Sequence, residues 1–394
     1  NQLKQVGKNI SEVIRNDLKN SGLFRPISTD SFINKKDSVN QLPTFTDWQA
    51  IKAQALLLGN LSQNGSKIKI EFRLWDVFAQ SEIEKQAFSS DSDNWRRLAH
   101  MVSDVIYKRL TGEDGYFDTR IIYIAESGKK IARKKRLAIM DQDGANNMFL
   151  TNDETIVLTP RFSPSAQKIV YMSYYKDIPR VYTFDLGSSK QQVVGDFAGM
   201  TFAPRFSPDG QKIVFSMAQN GNTDILEMDL NSKRATQLTE GPDIDTSPSY
   251  SPDGKQIVFS SDRSGSQQLY LMDAGSGSST HRISQNGGEY ATPVWSPRGD
   301  YIAFTKIEGG QFKIGVMLPD GDGERILDKD DNVIEGPTWS PNGRVLMYYR
   351  QTPLADGNDR MRLFSVDVTG YNKRQIPTET DASDPAWSPL LTKK

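Results

Sequence analysis

The chain has 394 residues, a length that fits two or three domains, with 37% hydrophobic and 25% charged residues. Its 48 basic and 49 acidic side chains leave a net charge of −1, which excludes the basic field of a nucleic-acid binder, and no apolar run approaches the ~20 residues that span a bilayer. Cysteine is absent, which excludes disulfides, thiol catalysis and thiolate metal sites together and leaves the redox compartment open.

Residue 1 is Asn, so the chain is expected to be processed or trimmed, with any targeting segment lost. From there to about residue 115 the sequence reads as a small α/β domain. Val6, Ile10, Val13, Ile14 and Leu18 recur at helical spacing, and Gly22 stops them. A short helix fits Asp47 to Ala53. Lys67 to Trp75 alternates cleanly: Ile68, Ile70, Phe72 and Leu74 face one way, and Lys67, Lys69, Glu71 and Arg73 the other. Leu56–Leu58 and Glu82–Phe88 are its expected sheet neighbours. A second main helix fits Asn94 to Leu110, with Trp95, Leu98, Val102, Val105, Ile106 and Leu110 as its stripe. Asp91 or Ser92 is the expected cap, and Gly112 the stop. Two main helices on a mixed sheet follow.

From residue 116 the helical stripes vanish. Six times the chain repeats proline, any residue, an aromatic, Ser and Pro, at Pro160, Pro204, Pro248, Pro293, Pro337 and Pro385, spaced 44, 44, 45, 44 and 48 residues apart. That period means one supersecondary unit stacked on its copies. The unit opens with the aromatic-Ser-Pro strand and a Pro-Asp-Gly type of turn. Second strands follow at Ile169, Ile213, Ile257, Ile302 and Val345, and third strands at Val181, Ile225, Leu269 and Leu363. Short fourth strands follow at Gln237, Arg282, Arg325 and Arg374. Four antiparallel strands in about 44 residues are the mark of a β-propeller blade. The last copy has only a first strand, and the region from Thr119 supplies a second, third and fourth. The two fragments complete one blade, so residues 116–394 read as an all-β six-bladed β-propeller closed by its C-terminal strand.

The repeated aromatics Phe162, Phe206, Tyr250, Trp295, Trp339 and Trp387 read as core between blades. Catalysis has little to stand on. His100 and His281 sit in no catalytic motif, G-x-S-x-G is missing and histidine clusters with metal spacing are missing. The expectation is a protein that is not an enzyme and carries no cofactor. The basic run KKIARKKR from Lys129 reads as a solvated hairpin tip. DGDG from Asp320 and DKDD from Asp328 lack the spacing of a calcium loop and read as turns, with a weak channel calcium site kept as an open alternative.

The positions before each repeated proline differ from copy to copy. They enter the innermost strand, so their side chains are expected to ring one mouth of the channel: Met200, Thr201 and Phe202; Asp245, Thr246 and Ser247; Tyr290 and Thr292; Glu335; and Asp384. A constant scaffold with a variable mouth is what a recognition surface requires.

LKNSGLFRPIS from Leu18, RLTGEDGYFDTRIIYI from Arg109, the PDG repeats and the closing PAWSP together resemble the TolB family, the periplasmic component of the Tol-Pal envelope system of Gram-negative bacteria. The resemblance spans essentially the whole chain. It implies a periplasmic, monomeric, non-enzymatic adaptor that serves outer-membrane integrity and cell division. Its channel mouth would bind the peptidoglycan-associated lipoprotein, Pal, and bacteriocins would exploit the same surface. An N-terminal arm contacts the inner-membrane protein TolA in the family, and the expectation here is that the arm is missing. Met200 falls where the family's site has a histidine, and Ser247 where it has an acidic residue. The alternative is a substrate-gating or ligand-binding propeller like those of prolyl-oligopeptidase-like enzymes. A hydrolase partner domain needs ~200 further residues, and the sequence ends soon after PAWSP.

Overall fold

The computed structural model describes residues 2–33, 37–152, 154–175 and 179–391. The chain divides into two compact units, residues 1–118 and 119–394. No helix among the described residues is long and apolar enough to cross a membrane.

In the first unit, helices α1 (Gln2–Asn20), α2 (Phe45–Ala50) and α3 (Trp95–Thr111) accompany strands β1 (Ala55–Asn64), β2 (Lys67–Asp76) and β3 (Ser81–Asp91). The alternating face of β2 is buried as its sequence predicts. Ile68, Ile70, Phe72 and Leu74 pack with Ile10, Val13 and Ile14 of α1 and Leu98, Val102 and Ile106 of α3. Leu110, by contrast, lies exposed at the end of the stripe. The expected mixed sheet is instead antiparallel throughout, in the order β1-β2-β3. Short hairpins join its strands, and a parallel pair would need a crossover of a dozen residues or more. Asp91 and Ser92 do not cap α3, because Ser92–Asn94 form a 3-10 turn ahead of it and Asn94 occupies the cap position. Gly112, left-handed at φ 79°, ends the helix as expected.

After Gly112 the chain turns back over α3. The carboxylate of Asp104 accepts the backbone N–H groups of Phe117 at 2.7 Å and Asp118 at 3.0 Å. Gly115 passes so close that a Cβ there would lie 2.6 Å from the Asp104 Cα. Burial pushes the Asp104 carboxyl up to about 7, against the two N–H bonds that lower it.

Among the described residues, the second unit contains six four-stranded antiparallel sheets, each in the order first to fourth strand. The first strands are Val157–Phe162, Met200–Phe206, Asp245–Tyr250, Glu289–Trp295, Ile334–Trp339 and Asp381–Trp387. Five of the sheets are contiguous in sequence. In the sixth, Asp381–Trp387 pairs with Arg120–Ser127, with Ala382 opposite Ala125 and Trp387 opposite Ile121. Each first strand also packs on the next, and the strand at Asp381 packs on the one at Val157. This is a propeller-like arrangement.

The repeated motif explains the sheet geometry. In S-P-D-G, the N–H of Gly210 bonds Ser207 O and that of Gly254 bonds Ser251 O, both at 2.9 Å. These are turns with Ser first, Pro second and Gly fourth. The repeated aromatics are all buried. Phe206 joins Val170 and Val181 of the preceding sheet, and Trp295 joins Val258 and Leu271 of its own predecessor. They are mortar between sheets. At the join, the Trp387 indole N–H donates to Thr119 Oγ1 at 2.8 Å and its backbone N–H to Thr338 Oγ1 at 3.2 Å.

Two outcomes are expected. Between about pH 4 and 7, folded Asp104 keeps a proton that the unfolded chain has released, so stability of the first unit falls as pH rises through that window, by on the order of 3 kcal/mol. Asp104→Asn removes the slope in urea titrations across pH, and a slope unchanged in that variant refutes the assignment. Trp387→Ala costs about 3–5 kcal/mol in chemical denaturation. A loss under about 1 kcal/mol would mean that the C-terminal strand does not hold the sixth sheet.

Candidate functional site: a cavity among the six first strands

Every first strand carries an irregularity at its proline. On the strand at Met200, Phe202 pairs with Ser216 but Arg205 with Val214. Three steps on one strand match two on its neighbour, so one residue is extra. The same shift recurs in the other five sheets. The residue before each proline has a left-handed backbone: Thr159, Ala203, Ser247, Thr292, Gly336 and Asp384 have φ between 47° and 70°. Only glycine adopts that conformation freely. Five of these six are not glycine, so the surrounding sheets hold the bulge in place.

The bulges turn these six residues toward a shared cavity of about 180 Å3. Its walls also include Arg161 and Arg205, one residue after their prolines, and Glu335, two residues before its own. All six first strands therefore contribute.

Of the residues expected at the mouth, Ser247, Thr292, Glu335 and Asp384 line this cavity. Met200 does not line it but is 39% exposed at the start of its strand, and Phe202 and Thr246 are half-buried. Thr201, Asp245 and Tyr290 are turned away from it, and all three are buried. Each stands three residues before its proline, as do the buried Val157, Ile334 and Ala382. The extra residue flips the face on which every earlier side chain lies, so this position points between sheets. There Thr201 Oγ1 accepts the Val181 N–H at 3.1 Å. Asp245 accepts both oxygens' bonds from Arg263 at 3.0 and 3.1 Å. Tyr290 donates to Glu324 at 2.6 Å.

Arg161 and Arg205 escaped the sequence reading because they occupy the "any residue" slot of the motif. A signal was present: the other four copies hold Ser249, Val294, Thr338 and Ala386 there, all small or β-branched and all buried. Two arginines in such a slot have a different task.

Charge is divided across the cavity. Arg161 and Arg205 stand on neighbouring strands; Glu335 and Asp384 stand on the last two. Burial pulls both guanidiniums below their ordinary range, Arg205 the further, with Arg161 adding repulsion. Burial raises the Asp384 carboxyl, offset by Arg161 and by the Thr159 N–H that it accepts. Burial also raises Glu335, which accepts a short bond from the Tyr349 hydroxyl. The arrangement can receive a charged or hydrogen-bonding group. It has no nucleophile paired with a base.

Elsewhere, His100 is buried against Asp17 at 2.8 Å, and Ser103 donates to the same carboxylate at 2.8 Å. The serine bonds the aspartate and not the histidine, which is not the order of a catalytic triad. His281 is exposed and bonds Ser279 O. The basic run is a solvated hairpin tip over residues 129–132, as expected, but Arg133 and Lys135 are engaged in ion pairs. Arg133 bonds Glu126 at 2.6 Å and Asp381 at 2.5 Å, and Lys135 reaches Glu126 at 3.2 Å. Strand pairing sets Asp381 opposite Glu126, and two facing acids need cations between them. DKDD is no turn. Its first three residues close the strand Arg325–Asp330, where buried Asp328 accepts from Tyr348 and pairs with Lys373 at 2.8 Å. DGDG is a turn as expected, with the Asp322 N–H on Asp320 Oδ1.

Comparison with known proteins places these features in context. Residues 1–83 match the model of the TolB amino-terminal domain, and residues 107–391 that of the TolB beta propeller domain. The Tol-Pal system protein TolB of Pelagibacter ubique (strain HTCC1062) is 55% identical, over 99% of this chain and 88% of its own. Its counterpart in Gluconobacter oxydans (strain 621H) is 49% identical, over 98% of this chain and 83% of its own. The crystal structure of TolB from Acinetobacter baumannii superposes with a TM-score of 0.86 at 31% identity, covering 96% of this chain and 93% of that one.

A backbone consequence can be checked directly. Ala203→Gly relieves a left-handed alanine and is expected to stabilise the protein by about 1 kcal/mol. A fall in thermal midpoint would contradict the bulge geometry.

Proposed function

The chain belongs to the TolB family, a non-catalytic component of the Tol-Pal system, and from that premise we propose that it is a periplasmic adaptor whose channel mouth docks the peptidoglycan-associated lipoprotein. In this reading the six sheets are the blades of a closed six-bladed β-propeller. The unbroken cycle of packing among the first strands supports it. The observation that carries the docking reading is the bulge repeated in all six sheets. It holds the strands' entry points about one cavity while the residues there vary from copy to copy.

Met200, Phe202, Thr246, Ser247, Thr292, Glu335 and Asp384 supply the rim and wall. Thr201, Asp245 and Tyr290 act by fixing the strands beneath. An exposed methionine beside half-buried Phe202 and polar Thr246 suits a protein partner, because interfaces combine apolar anchors with a polar rim. Through such docking the protein would serve outer-membrane integrity and cell division. The same surface would be open to bacteriocins, and TolA would be reached through an N-terminal arm.

Calorimetric titration with Pal is expected to show Met200→Ala and Thr246→Ala each weakening binding by up to about tenfold, the scale of a single interface contact. Undiminished binding in both, with the fold intact, would move the docking site away from this mouth.

A further inference from the structure

Arg205 is the charge in the cavity that the protein leaves unanswered. Among the described residues its guanidinium has no hydrogen-bond or ion-pair partner, and the charge that acts on it is that of Arg161, of the same sign. Arg161 donates to its own neighbour Pro160 O at 2.6 Å and feels the attraction of Asp384. Asp384 stands on the strand that packs against the one carrying Arg161, whereas Arg205 stands one strand further on. Its other neighbouring strand brings Ser247 to the cavity wall. Glu335 is engaged by Tyr349.

Arg205 is half-buried in the cavity wall, and a guanidinium held among protein groups without a counter-charge is a site that an anion can complete. The four groups Arg161, Arg205, Glu335 and Asp384 already sum to zero when all are charged, so a doubly charged anion would meet two carboxylates across a small space. Asp384 answers Arg161, and what remains is one cation with a planar fork of donors beside Ser247. That fork matches the two oxygens of a carboxylate. The cavity has room for such a group with part of its hydration.

The geometry points to Arg205, with Ser247 beside it, as the binding site for a single carboxylate group inside the channel. The carboxylate comes either from a small free acid or from a peptide, as an Asp or Glu side chain or a chain terminus. The site exists in the free protein and goes beyond the docking reading. Failure to bind Pal would leave it standing, and its own failure would leave the rim intact.

The test uses the full chain at constant ionic strength, with sodium chloride as the reference salt. Thermal midpoint and calorimetry are followed against acetate, against N-acetyl-glycine as a chain terminus, and against N-acetyl-aspartate amide as a side chain. N-acetyl-asparagine amide is the uncharged control. Saturable binding of at least one carboxylate is expected, with no response to the asparagine compound. Whichever probe binds most tightly identifies the source. Arg205→Gln is expected to weaken that binding at least tenfold, and Arg205→Lys to fall between. Without carboxylate, Arg205→Gln should unfold at the wild-type temperature or above it, since it removes an unanswered charge. Three results would overturn the inference. They are no saturable carboxylate effect beyond chloride, equal binding by Arg205→Gln, or a marked drop in that variant's carboxylate-free midpoint, which would reveal a structural partner for Arg205.

Discussion

The pairing of Asp381–Trp387 with Arg120–Ser127 is the constraint on which the second unit depends. It spans more than 250 residues of sequence, with Ser383 bonded to Glu126 and Trp387 to Thr119. Without it the sheet beginning at Arg120 has no first strand, and two strand edges stand open to pair with other chains. The cavity would also lose Asp384, whose carboxylate attracts Arg161. Arg133 reinforces the join by bridging Glu126 and Asp381, one from each partner strand. One half of a basic run that otherwise forms a solvated tip is therefore part of the seam. Long-range pairing of this kind forms late, because the loop must close before its contacts repay the lost entropy.

A second constraint, the extra residue at each proline, decides what the cavity can be made of. Proline lacks the N–H that a regular strand would use there, and the left-handed residue before it lets the chain step outward. The result is a fixed division of labour by position. Three before the proline is buried between sheets, one before faces the cavity, and the aromatic two after is mortar. The backbone is thereby held constant while composition at the cavity-facing positions is free to differ.

This division explains what was legible in the sequence. The 44-residue period, the strand order within each repeat and the completion of the sixth sheet from both ends all follow from turn chemistry and spacing, which act locally. Residues at the cavity were only half legible. Simple counting back from the proline puts Thr201, Asp245 and Tyr290 with Ser247 and Thr292, because nothing in one strand's sequence announces that its partner skips a residue. A register shift is a property of two strands. In the first unit the same kind of gap appears. The sheet is antiparallel because Gly65-Ser66 closes a two-residue hairpin between β1 and β2, with Gly65 at φ 59°, and glycine at the first central position is a local signal for that turn.

The two arginines show where repetition itself becomes informative. In four copies the residue after the proline is Ser249, Val294, Thr338 or Ala386. Ser249 and Thr338 use their hydroxyls to bond the backbone N–H of Trp295 and Trp387 on the neighbouring strand. Those copies spend the position on the seam between sheets. Arg161 and Arg205 cannot do so, since a guanidinium has no acceptor to offer, and both side chains line the cavity instead. A repeat protein can do without such a bond in several copies, Val294 and Ala386 among them, because packing between the sheets still holds them in register. It is the redundancy of the scaffold that frees the position for a charge, and departures from the repeat are therefore where a site should be sought.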